Sequence, residues 1–95
     1  MSTHGYLYLI HAKGTRFFKL GVTQNLALEM SNIQSNVPFE IEEIKHTHTF
    51  FAPASHYRNM VKQFAQHYTF GNWLLLQNEH EVQCVLAALN NFSHA

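Results

Sequence analysis

The stretch from Gly5 to Thr23 reads GYLYLI, HAKGTR, FFKLGVT. Two apolar runs, rich in aromatic and branched side chains, flank Lys13-Gly14-Thr15, and this pattern predicts a β-hairpin. Side chains alternate along a strand, so Tyr6 and Tyr8 share one face of the first strand while Leu7 and Leu9 share the other. Gly21 interrupts the second strand just before a helical pattern begins. A glycine at such a point marks a close backbone approach or a sharp exit from the sheet.

Outward from the hairpin, Leu26, Met30, Ile33 and Val37 form one helical stripe. Thr23 and Asn25 are its candidate N-caps, and Asn36-Val37-Pro38 ends it because a residue before proline avoids helical geometry. Phe39 to Phe51 reads as a third strand. Pro53 suits the first turn of a second helix carrying Tyr57, Met60, Val61, Phe64 and Tyr68, with Gly71 as punctuation. Trp73 to Leu76 is either a small strand or a core-packing loop. Asn78 with Glu81 resembles a capping pair ahead of a third helix built on Val82, Val85, Leu86, Leu89 and Phe92. The order predicts an α+β fold: a small antiparallel sheet of about three strands flanked by three helices.

The 95 residues predict one domain, 1–95, and a hydrophobic content of 46% is too high for disorder. No apolar run approaches the roughly 18 residues of a membrane span, and the start, Met-Ser-Thr-His-Gly, lacks the pattern of a signal peptide. Cys84 is the single cysteine. It lies in an apolar helical pattern and reads as a buried small hydrophobe, which together with the missing disulfide suggests a cytoplasmic, intracellular protein. Six Lys plus Arg balance six Glu, and there is no Asp. That balance argues against strong nonspecific nucleic-acid binding, which needs a basic surface. The eight His residues make the charge adjustable, so the chain becomes cationic below about pH 6.

GYLYLI followed by KLGVT resembles the paired signature of the GIY-YIG nuclease superfamily. Tyr8 falls on the tyrosine of the first half, and Lys19-Leu20-Gly21 on the second half. The lysine in place of the second tyrosine, together with Ser35-Asn36-Val37-Pro38 and Gly71-Asn72-Trp73, resembles the short phage-type DNA-binding branch of that superfamily. The resemblance runs from about Gly5 to Leu89. It implies a GIY-YIG-like domain of phage or bacterial type and, in active members, a phosphodiester-cleaving site with a divalent metal. Four parts are implied there: a tyrosine on the first strand, a tyrosine or lysine on the second, a phosphate-gripping arginine on the first helix, and a metal-binding glutamate on the second helix.

Carried over by position, Tyr8 matches the first tyrosine, with Tyr6 beside it on the same strand face, and Lys19 matches the second-strand position. The arginine position falls on Glu29, and the glutamate position near His56 or Tyr57. Glu29 sits about 60° from the centre of the first helical stripe, at the edge of the packed face. An anion there repels phosphate where a cation would attract it. At about 5 Å and an effective dielectric near 20, each such interaction is on the order of 3 kcal/mol before screening. Glu29 is therefore expected to face the same cleft as Tyr8 and Lys19, and to pair with Lys19.

Plainer readings stand beside these. Tyr6 and Tyr8 suit sheet aromatics under a helix, Lys19 a strand-edge cation, Glu29 a helix-surface charge, and Trp73 a core anchor. His46 and His48 point to one strand face, where they, with His56 as a third, are weak metal candidates; a closed zinc site needs more ligands. Two functions follow. The first is a catalytically inactive binding module needing no cofactor, engaging DNA or other nucleic acid through Lys13, Arg16, Lys19, Gly21 and the tyrosine face, or a protein partner, a second copy in a homodimer included. The second is an active endonuclease using Mg2+ or Mn2+, its metal held by Glu40, Glu42 or Glu43 with His56. The neutral balance of charge predicts that any oligonucleotide binding weakens only gently with salt. A salt titration should return a slope of about two or three counterions, and a slope near about ten would reveal an unrecognised basic surface.

Overall fold

In a computed structural model, which describes residues 4–49, 52–69 and 71–91, the hairpin forms as its sequence dictates. Strand β1 (Gly5–Ala12) and strand β2 (Phe17–Thr23) pair antiparallel, with Tyr8 opposite Gly21 and Ile10 opposite Lys19. Gly14 takes φ +79° in the turn, a left-handed conformation that costs glycine nothing. The Thr15 amide and hydroxyl both donate to the Ala12 carbonyl, at 3.1 and 2.7 Å, closing the turn.

Helix α1 (Leu26–Ser35) starts at Asn25, whose side chain accepts from the Leu28 amide at 3.1 Å. Strand β3 (Ile41–Thr49) returns antiparallel along the other side of β1, with a bulge where the register shifts between Leu9 and Ile10. Phe39, expected at the start of that strand, precedes it. The Gln34 side chain fixes this turn by donating to the Phe39 carbonyl at 2.7 Å and accepting from the Ile41 amide at 3.0 Å. The far end of the expected strand, Phe50 and Phe51, lies outside the described residues.

Helix α2 (Pro53–Gln63) carries Pro53 in its first turn, where the missing N–H costs nothing. It is shorter than its sequence pattern suggests. Phe64 caps it, a short 3-10 turn follows over Ala65–His67, and Tyr68 takes an extended conformation that bridges to Leu74. Trp73–Leu75 is a fourth strand, β4, pairing with Phe17–Lys19. Helix α3 (Glu79–Asn91) follows Asn78, whose side chain accepts from the Glu81 amide at 3.0 Å while the Glu81 carboxylate accepts from the Gln77 amide at 2.6 Å. Phe92 lies outside the described residues.

The result is α+β, a four-stranded antiparallel sheet in the order β3-β1-β2-β4 with three helices. Alternation sorts its faces. Leu7, Leu9, Phe18, Leu20 and Leu74 pack with Met60 and Phe64 and with Val85, Ala88 and Leu89 of α3 as one buried core. Tyr8, Ile10 and Ala12 are equally buried but point to the opposite face, where α1 lies. No residue of α1 is fully buried. Among the described residues, no helix is long and apolar enough to cross a membrane.

Cys84 is exposed rather than buried. On α3 it stands about 130° from the centre of the Val82, Val85, Leu86, Ala88, Leu89 stripe at about 100° per residue, beside His80, whose Nε2 lies 3.7 Å from its sulfur. A thiol reagent should therefore label Cys84 completely in the native chain. Labelling that appears only with denaturant would contradict this orientation.

Candidate functional site

The first strand, the second strand and α1 meet where Tyr8 crosses Gly21. A Cβ placed on Gly21 would stand 2.0 Å from the Tyr8 hydroxyl and 2.1 Å from its Cζ. Only glycine opposite Tyr8 lets the ring lie flat across β2. The ring is buried at 1% exposure, and its hydroxyl donates to Glu29 Oε2 at 2.6 Å. Glu29 lies in the first turn of α1, where a carboxylate is favoured by the helix dipole.

Burial, then the hydrogen bond to Glu29 and the charge behind it, hold the Tyr8 hydroxyl far above the ordinary phenol range. Tyr8 therefore keeps its proton at neutral pH and acts as the donor to Glu29. Lys19 stands in the same cleft, half-buried, and its burial pushes the ammonium down while the Glu29 charge offsets part of that effect. Its Nζ lies 5.6 Å from the centroid of Trp73, a cation–π arrangement. Leu20, Gly21, Val22, Tyr57 and Asn72 complete the described lining of a cleft of about 260 Å3. Among the described residues, β4 pairs with Phe17–Lys19 and not with β2 from Leu20 to Thr23, and Tyr57 of α2 lines the cleft beside that margin. Tyr57 also helps push the Tyr68 hydroxyl up to about 12, after burial as the main cause.

Glu29 does face Tyr8 and Lys19 across one cleft. Its bond, however, goes to Tyr8, and no ion pair joins it to Lys19 among the described residues. Trp73, expected as a core anchor, is half-buried on the sheet face, where it carries Lys19 and meets Phe39 edge-on at 5.5 Å. Of the two residues nearest the expected glutamate position, Tyr57 lines the cleft and His56 does not.

The other expected binding cations disperse. Lys13 Nζ pairs with Glu40 at 3.2 Å in the open. Arg16 donates to the Gln77 carbonyl, on the side where α3 begins. Neither lines the cleft. Tyr6 shares the face of Tyr8 but leans toward β3, stacked on His48 with ring centroids 4.7 Å apart and with His46 edge-on at 5.8 Å.

The third-strand glutamates are also engaged away from the cleft. Glu40 meets Lys13, Glu42 meets His11 Nδ1 at 2.9 Å, and Glu43 meets His46 Nδ1 at 2.9 Å. Among the described residues, no group of three or more His, Cys, Asp or Glu is placed to hold a metal, so His46, His48 and His56 form no three-ligand site. The cleft itself offers one carboxylate, already accepting from Tyr8, beside an ammonium. That donor set does not fit Mg2+ or Mn2+, which take several hard oxygen ligands. No family model, curated protein or solved structure matches the chain.

Gly21→Ala tests the geometry of the cleft. The added methyl must displace the Tyr8 ring, and the expected loss is about 1–3 kcal/mol or more, read as a lower midpoint in urea unfolding. An unchanged midpoint would mean that Tyr8 does not lie across Gly21 in solution.

Proposed function

We propose that the chain is a binding module on a GIY-YIG-like scaffold, without nuclease chemistry, acting in the cytoplasm on nucleic acid or a protein partner. One observation carries the loss of chemistry: Tyr8 donates into Glu29, at the position where the resemblance implies a phosphate-gripping arginine. An anion bonded to a phenol that keeps its proton supplies neither a phosphate grip nor a base. Tyr57, near the implied glutamate position, adds a weakly coordinating phenol.

The sheet face beyond the cleft supports a binding role. Lys19 over Trp73, with Phe39 beside Trp73 and Phe17 exposed nearby, makes an aromatic surface with one cation. Such a surface stacks on unpaired bases with few phosphate contacts. The zero net charge and the dispersal of Lys13 and Arg16 suit a protein partner as well.

Glu29→Arg separates these readings. It turns the cleft from charge-balanced, with Glu29 against Lys19, to basic, so single-stranded oligonucleotide binding should tighten about tenfold, with a salt slope steeper by about one or two counterions. Supercoiled plasmid with Mg2+ or Mn2+ should remain uncut by wild type and variant alike. Unchanged oligonucleotide affinity would remove the cleft from any nucleic-acid surface and leave the protein partner, whereas metal-dependent nicking by the wild type would overturn the proposal.

A further inference from the structure

We propose that His4 and His48 form a two-imidazole chelate for a zinc-class ion on the sheet face beside Tyr6. His48 Nε2 and His4 Nδ1 stand 3.4 Å apart. An imidazole–imidazole hydrogen bond of good geometry would draw them to about 3.0 Å. Two nitrogens bound at 2.0–2.1 Å to one tetrahedral ion lie about 3.3–3.4 Å apart. Adjacent ligands on an octahedral ion at about 2.1 Å would lie only about 3.0 Å apart. The two nitrogens lie within hydrogen-bond reach, and their separation also equals the bite of a tetrahedral centre. The ion takes the lone pair of each neutral ring, with the protons on His4 Nε2 and His48 Nδ1.

The pair is held in this geometry. The Tyr6 ring stacks on His48 at an interplanar angle of 25°, and His4 meets His48 edge-on at 81° with centroids 5.5 Å apart. His46, the partner that strand alternation suggests for His48, lies against the Tyr6 ring and is bonded to Glu43. The chelate therefore joins the residue just before β1 to β3, rather than two residues of one strand. His4 is exposed, so an ion reaches the pair from solvent, and two coordination positions remain for water.

The untagged chain titrated with Co2+ at pH 7.5 should bind one ion saturably, with the intense visible absorption of a tetrahedral centre, and Zn2+ should displace it. His4→Ala and His48→Ala should each weaken binding by about tenfold or more, as expected when one of two ligands is lost. His46→Ala should change it by no more than about twofold. Thermal melts matching the wild type would exclude loss of fold. The proposal is overturned by the absence of saturable binding, by a weak octahedral spectrum, or by a loss on His46→Ala equal to that on His48→Ala.

Discussion

The crossing of Tyr8 over Gly21 is the contact on which the arrangement of the sheet's second face depends. It needs two things at once: a strand register that sets position 8 opposite position 21, and a residue without Cβ at 21. Once both hold, the Tyr8 hydroxyl emerges where α1 begins, and a carboxylate in the first turn of that helix meets it. One phenol thereby ties β1, β2 and α1 together. It also decides the character of the cleft, because it commits the only carboxylate among the described lining residues.

Much of this was legible in the sequence because it is local. The hairpin follows from alternation around a turn glycine, the Asn25 and Asn78 caps from side-chain chemistry within a few residues, and the place of Pro53 from its missing N–H. The meeting of Tyr8, Lys19 and Glu29 was legible from strand and helix periodicity combined with the resemblance. What was not legible depends on distant partners. Trp73–Leu75 was legible as either a small strand or a loop, and pairing with the edge of β2 decides for the strand. The helical pattern that runs on to Tyr68 is overridden by the extended bridge to Leu74. The choice of Tyr8 over Lys19 as Glu29's partner depends on side-chain geometry that no periodicity encodes.

Cations and anions balance over the chain, and the cations near the sheet are individually engaged: Lys13 pairs with Glu40, Arg16 donates to a backbone carbonyl, and Lys19 lies against an aromatic ring. With zero net charge, little long-range steering of a polyanion remains. Recognition on this surface rests on shape, aromatic area and a few directed hydrogen bonds.

Helix α1 has no fully buried side chain, and Leu28 at its first turn is 56% exposed. Its neighbours across the sheet are clamped by a core that excludes water. A helix attached in this way is the element whose local opening costs least. The Tyr8–Glu29 hydrogen bond and a stripe of half-covered aliphatic side chains are accordingly what hold α1 against the strands beneath it.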